Sequence, residues 1–182
     1  MATEMELMNN ASSIAEFKHK VTLRDGSEIT IRPLCQADME KFLSMFNCLS
    51  KETKFLRYHY VKLNLSEQEV EESCTPDYYN KFALAAEKNG GNYRIAGVAR
   101  LDRIGNSSAA EIAFLVDDRE QGRGICTHLL EDLVLLGLKI GIHTFIGLLT
   151  NENVIMLDIL RKFAPNAEIK VEGSDILATF DI

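Results

Sequence analysis

The sequence predicts an α+β domain: a mixed, mostly antiparallel sheet with helices packed on it. Alternating apolar and polar residues flank Asp25-Gly26, a dipeptide that signals a hairpin turn. Three strand-like runs between Tyr79 and Val116 are joined by short links, which makes that part of the sheet antiparallel. From Ala110 to Leu149 the pattern becomes strand, glycine loop, long amphipathic helix and strand, a crossover connection.

Met1–Glu16 is acidic and carries Leu7, Met8 and Ile14 at loosely helical spacing. Residues 1–18 therefore read as an N-terminal extension, an added helix or a disordered tail, ahead of a domain over 19–182. Val21–Leu23 and Glu28–Ile31 form the first hairpin, which ends at Arg32-Pro33-Leu34 because proline cannot donate to a ladder. From Ala37 to Cys48, Met39, Phe42, Leu43 and Phe46 recur at i, i+3, i+4 and i+7, one face of a helix. Lys51–Leu63 is mixed and aromatic, and either continues the helical region or forms a loop over a cleft. Ser66 and Glu69 make a capping box that opens a short helix, and Pro76 follows its end.

Tyr79–Glu87, Arg94–Leu101 and Ala110–Val116 are the next strands, with turns at Asn89-Gly90-Gly91-Asn92 and Gly105-Asn106-Ser107-Ser108. Over Ile125–Ile140, Ile125, Leu129, Leu133, Leu136 and Ile140 make one stripe, broadened by Leu130 and Val134. Thr127, His128, Glu131 and Asp132 form the polar face. Thr144–Leu149 is a short buried strand and Val154–Phe163 a second amphipathic helix, stopped before Pro165. Ile169–Val171 and Ile176–Phe180 close the chain as a hairpin around Gly173-Ser174.

The 182 residues, 46% hydrophobic and 26% charged, have the composition of one ordinary globular domain with an extension. No apolar run approaches the roughly 18–20 residues of a membrane span. Met1-Ala-Thr-Glu-Met-Glu lacks the basic start and apolar core of a signal peptide, so a cytoplasmic protein is expected. A net charge of −7 argues against a nucleic-acid partner and suits a cationic substrate such as an amine. Cys35, Cys48, Cys74 and Cys126 form no C-x-x-C pair, and the four histidines stand alone. Reduced thiols and no metal are expected.

The chemistry concentrates in Arg119-Glu120-Gln121-Gly122-Arg123-Gly124, a glycine-spaced turn between a strand and a helix where backbone N–H groups converge on an anion. A Walker loop is excluded, because Ile125-Cys126 follows Gly124 where Lys and Ser/Thr are required. A dinucleotide fingerprint fails because Thr127 stands at its third glycine. The pattern that fits is [Q/R]-x-x-G-x-[G/A]. The N–H groups of about Gln121 to Cys126 suit a pyrophosphate, with one of Arg119 and Arg123 adding a charge-assisted contact.

At these residues the chain resembles the GNAT superfamily of acetyl-CoA-dependent N-acetyltransferases. Ala110-Glu111-Ile112-Ala113-Phe114 looks like the strand before the loop in the histone-type members, and Thr127-His128-Leu129-Leu130 like the start of their next helix. Ile31-Arg32-Pro33-Leu34 before a helix is a frequent opening of such domains. Ser50–Tyr58 followed by Leu65-Ser66 and Glu69 resembles bacterial enzymes that acetylate lysines on acyl-CoA synthetases. The resemblance implies a GNAT-like sheet over most of 21–182 and acetyl-CoA as co-substrate. It places the cofactor against Phe114, Leu115, Val116, Arg119, Gln121, Gly122, Arg123, Gly124, Ile125, Cys126 and Thr127. It further implies that a backbone N–H near Leu115 or Val116 polarises the acetyl carbonyl, an oxyanion-type role.

The acceptor is then a primary amine, a small molecule or a protein lysine. Deprotonating a lysine at pH 7 costs about 4–5 kcal/mol, so a carboxylate is needed at the cleft. Glu111, an acid in an apolar strand, is the candidate, as the glutamate of the matching A-E-I motif is in the histone-type relatives. Many relatives carry a tyrosine on the helix after the next strand to protonate the departing thiolate. Asn151–Phe163 has none; Asn153 resembles the other form of that helix, in which it touches the pantetheine arm. Cys126 reads as a buried helix-start thiol, not a nucleophile, since no histidine is placed to activate it. The missing acid leaves a second reading, a domain that binds acyl-CoA and regulates a partner without turnover.

Overall fold

The computed structural model describes residues 11–88 and 93–182. Residues 1–10 and the expected turn at Asn89–Asn92 lie outside the described residues. An eight-stranded sheet runs in the order β1-β2-β3-β4-β5-β6-β8-β7. Its strands are β1 (His19–Thr22), β2 (Glu28–Pro33), β3 (Lys81–Lys88), β4 (Arg94–Arg103), β5 (Ala109–Val116), β6 (Thr144–Thr150), β7 (Glu168–Glu172) and β8 (Asp175–Asp181). The helices are α1 (Met39–Cys48), α2 (Lys51–Tyr58), α3 (Glu67–Cys74), α4 (Ile125–Lys139) and α5 (Val154–Phe163). Every strand pair is antiparallel except β5 with β6, which the α4 crossover joins in parallel.

The sheet separates two cores. On one face α4 and α5 pack Leu129, Leu130, Leu133 and Leu160 against Ile31, Leu101, Ile112 and Phe145. On the other, α1 and α3 pack Phe42, Met45, Phe46 and Val70 against Ala83, Ala85, Val98 and Leu115. The first core also encloses Ile14, which sits on helical backbone at 11–15. In β4 an extra residue at Ala96 shifts the register, so Ile95 and Val98 face one core while Ala96 and Ala99 face the other.

The hairpin at Asp25-Gly26, the capping box of α3, the full stripe of α4 and the closing hairpin stand where the pattern put them. Two details differ. In α1 the buried stripe is Phe42, Met45, Phe46 and Leu49, and Leu43 is exposed. Both series have helical spacing, and which one faces inward is decided by where α3 and β4 lie. In α4 Asp132 is buried, not solvated, because the β1 residue His19 covers it and its Nδ1 lies 3.0 Å from the carboxylate.

The α4 helix packs tightly on the sheet at Gly137. A Cβ there would stand 2.9 Å from Phe145 Cε1 and 3.0 Å from Leu101 Cδ1, both fully buried. Phe145 is stacked on Phe180 at 5.5 Å between centroids, so its ring cannot easily retreat. Gly137→Ala therefore loses more by overpacking than it gains in helix propensity, a net destabilisation of about 1–2 kcal/mol in urea unfolding.

Candidate active site

The parallel pair is short. β5 and β6 are in register only over Ala109–Ile112 and Thr144–Gly147, after which β5 stays with β4 to Val116 and β6 with β8 to Thr150. The diverging ends open a cleft of about 940 Å³. Asp117 N–H reaches back to Ala96 O at 2.9 Å, so the odd-numbered residues of β5 bond β4. Phe114 and Val116 therefore point their backbone groups the other way, into the gap. Val116 O accepts from Gln121 Nε2 at 3.2 Å. The remaining groups of this edge await an extended partner. Of the two N–H groups expected to polarise a carbonyl, Leu115's faces β4 and Val116's faces the cleft.

The glycine loop closes one end of the gap. Gly122 and Gly124 have φ of +76° and +97°, values a side chain strongly disfavours, and Gly124 is the N-cap of α4. The first intrahelical bond runs from His128 N–H to Gly124 O. This leaves the N–H groups of Ile125, Cys126 and Thr127 free, at the positive end of a 15-residue helix. The opposite wall is apolar, formed by Leu148 and Leu149 of β6 and by Ile155, Met156 and Ile159 of α5. Asn153 caps α5, its side-chain oxygen accepting from Met156 N–H at 3.2 Å, and lines the same cleft.

The loop arginines do other work than expected. Asp117 and Glu120 are only 1% and 2% exposed. Asp117 accepts two bonds from the Arg119 guanidinium, at 3.0 and 2.6 Å, and a third from Arg119 N–H. Glu120 is held by Lys88, Arg94 and Arg123, and Arg123 also bonds Asp25 at 2.8 Å. Neither Arg119 nor Arg123 lines the cleft with its side chain. Their guanidiniums neutralise two buried carboxylates and so fix the loop. The cation that does overhang the loop is Arg24, which the sequence reading missed. A Cβ on Gly124 would lie 3.6 Å from Arg24 Nε, and the guanidinium has no hydrogen bond or ion pair among the described residues. Nothing in its spacing marked it; it comes to the loop because Arg24 N–H bonds Arg123 O.

Helix α2 spans the gap from the side of the α1 and α3 core. Ser50 and Thr53 at its start bond Asp118 beyond β5, and His59 at its end bonds Asp175 of β8 at 2.9 Å. Thr53, Leu56, Arg57, Tyr58 and His59 line the cleft, so of the two readings of Lys51–Leu63 the helical one holds over Lys51–Tyr58, and it is this helix, not a loop, that lies over the cleft. Facing it is Glu111, exposed, on the same face of β5 as Ala113 and Leu115, and free of hydrogen bonds or ion pairs among the described residues. Cys126 is different. Burial pushes its thiol up to about 12, and its sulfur packs at 3.4 Å from Met156 Sδ, so it is a protonated thiol and no nucleophile. All four cysteines are unbridged, and no cluster of three or more metal-binding side chains occurs among the described residues.

Residues 48–163, most of the chain and every residue lining this cleft except Arg24, match the model of the acetyltransferase (GNAT) family. The chain belongs to this family. GNAT acetyltransferases take acetyl-CoA as co-substrate, and the open edge of β5, the free N–H groups of α4 and Arg24 fit its amides and phosphates. The GNAT domain is 30% identical over 141 residues to acetyltransferase Pat of Mycolicibacterium smegmatis, covering 77% of this chain and 42% of that protein. The chain thus spans less than half of that relative's length. It is 26% identical over 153 residues to acetyltransferase PA5475 of Pseudomonas aeruginosa, covering 83% and 82%. The crystal structure of the GNAT domain of S. lividans PAT superposes with a TM-score of 0.83 at 29% identity, covering 91% of this chain and 97% of that one. No described helix of the GNAT domain is long and apolar enough to cross a membrane.

The buried carboxylates give the domain an acid limit. Arg119 and its N–H hold Asp117 below the usual carboxylate range; burial works against ionisation of Glu120, but Lys88 and Arg94 outweigh it and lower it too. Folded values below unfolded ones mean stability that is complete above about pH 4.5 and lost as pH falls through the folded values. Wild-type Tm should drop steeply on acidification below that point. Asp117→Asn removes its charge-assisted bonds but leaves only the exposed Arg119 without a carboxylate, since Arg94 keeps Glu120, so it should cost about 1–3 kcal/mol at neutral pH yet show a shallower acid drop in calorimetry across pH.

Proposed function

We propose that this GNAT domain transfers an acetyl group from acetyl-CoA to the side-chain amine of a protein lysine, with Glu111 as the base. The observation that carries the reading is the composition of β5 itself. Its unpaired edge offers backbone groups to an extended amide-bearing arm, and its Glu111 presents an unpartnered carboxylate on the face that α2 covers. Tyr60, Val61 and Leu63, just beyond the cleft-lining His59, are exposed apolar surface suited to a polypeptide acceptor.

Bound acetyl-CoA supplies an activated thioester; the chain supplies position and charge. Backbone N–H groups at Gln121–Thr127, with Arg24, hold the pyrophosphate. Phe114 and Val116 hold the arm as a neighbouring strand would, and Asn153 contributes its side-chain amide from the α5 cap. Glu111 accepts the proton of the lysine ammonium, directly or through one water, and the amine attacks the carbonyl carbon. Val116 N–H stabilises the oxygen that becomes negative. The carbon–sulfur bond then breaks; the second proton, which the nitrogen loses as it becomes an amide, passes through water in the open cleft to the departing thiolate, and Glu111 returns its own proton to solvent. No acyl-enzyme forms, in keeping with the protonated state of Cys126.

Two measurements test this. Glu111→Gln should lower kcat for lysine acetylation by about 10²–10⁴-fold in a CoA-release assay and leave the KM for acetyl-CoA unchanged; intact turnover means another base. Acetyl-CoA should raise the Tm of the wild type, and Gly124→Glu, which strains the φ +97° position and sets a carboxylate where the phosphates belong, should abolish that rise.

A further inference from the structure

Facing Glu111 in the cleft stands a cation with no hydrogen bond or ion pair among the described residues. Of the described arginines, Arg32, Arg94, Arg100, Arg119 and Arg123 hold carboxylates and Arg103 holds backbone carbonyls. Arg24 and Arg161 are exposed. Arg57 alone among the described residues is an arginine both withdrawn from solvent and without a hydrogen bond or ion pair. Its guanidinium lies 4.9 Å from the centroid of the Tyr58 ring and lines the cleft. After the adjacent Tyr58, the groups that act on it are Glu111, Arg100 and Asp102, but Arg100 and Asp102 satisfy one another at 2.6 and 2.9 Å. Glu111 does not close to ion-pair distance with it. Burial disfavours the charge on Arg57, and the guanidinium still keeps its proton at neutral pH.

An unpaired fork of five N–H donors, partly desolvated, is costly unless an acceptor arrives. Its planar geometry matches a carboxylate or phosphate held by two parallel bonds. The opposite wall offers a carboxylate suited to an ammonium. One wall therefore asks for a positive group and the other for a negative one.

We propose that Arg57 binds an anionic group on the acceptor, so that the domain prefers amines carrying or flanked by a carboxylate. That group is an acidic side chain beside a protein lysine, or the carboxylate of a free amino acid. The proposal rests on the acyl-transfer reading above, in which the amine sits at Glu111. Arg57 is a specificity residue here; it takes no proton.

The test uses three peptides that differ only beside the acceptor lysine, with Asp, Asn or Lys there, together with free lysine and its methyl ester. Each is measured with wild type, Arg57→Gln and Arg57→Lys, by CoA release and by calorimetric binding to the CoA-loaded domain. The Asp peptide should exceed the Asn peptide in kcat/KM by about 10–100-fold, the range of one charge-assisted bidentate contact. Arg57→Gln should erase that difference by raising KM for the Asp peptide alone, and Arg57→Lys should restore part of it. If free lysine outperforms its methyl ester by a similar ratio, the carboxylate belongs to a free amino acid. Equal losses on the Asp and Asn peptides, no wild-type preference, or a raised KM for acetyl-CoA each overturn the role of Arg57 while leaving transfer intact. A calorimetric preference for the Asp peptide without CoA release upholds Arg57 and sinks the transfer reading instead.

Discussion

Two strands that pair for four residues and then part leave backbone donors and acceptors without partners, and a folded protein cannot leave such groups dry and unbonded. The domain depends on how this gap is kept open. β5 is held to β4 up to Val116, and β6 to β8 up to Thr150, so neither strand can lean across to the other. The α4 crossover then places a helix start at the wide end, where its own first N–H groups lack acceptors. Two sets of unsatisfied backbone groups thus meet in one cleft. Together they describe an extended ligand with amides along its length and an anion at its end.

Helix α2 keeps the gap from being merely a groove. Its first turn is bonded to Asp118 next to the glycine loop, and its last residue region to Asp175 on the far strand pair. It spans the two diverging strands as a bridge tied at both abutments. Lys54 is buried beneath it with its ammonium 4.5 Å above the Phe46 ring, so the bridge is also pinned to the helical core. Because of this placement, residues from α2 and β5 face each other although some 54 positions separate Arg57 from Glu111.

What could be read from the sequence follows from which forces are local. The glycine loop was legible because a positive φ at Gly122 and Gly124 is a backbone demand that only certain residues meet. Glu111 was legible because an acid breaks an apolar strand. The α4 stripe was legible because its period is its own. Leu43, Asp132, Arg24 and Arg57 were not, since in each case the outcome is set by a distant element: α3 and β4, His19, Arg123, and the splayed strands. Arg119 and Arg123 misled for a related reason. A basic residue in a phosphate-type loop reads as a ligand unless one knows that Asp117 and Glu120 are buried beside it, and burial is a tertiary fact.

The distribution of ion pairs then separates scaffold from site. Around the loop, each buried carboxylate has two or more cations, because an isolated charge at that depth would be far too costly. The open donors at the loop are helix N–H groups and the exposed Arg24, whose charge is partial or hydrated and whose desolvation is correspondingly cheap. Inside the cleft the rule reverses, and Glu111 and Arg57, both lining it, are left without an ion pair. Had the fold let them meet, they would form one more structural ion pair, and neither would be open to a ligand. Holding α2 away from β5 at both of its ends is what keeps these two charges available to a third party.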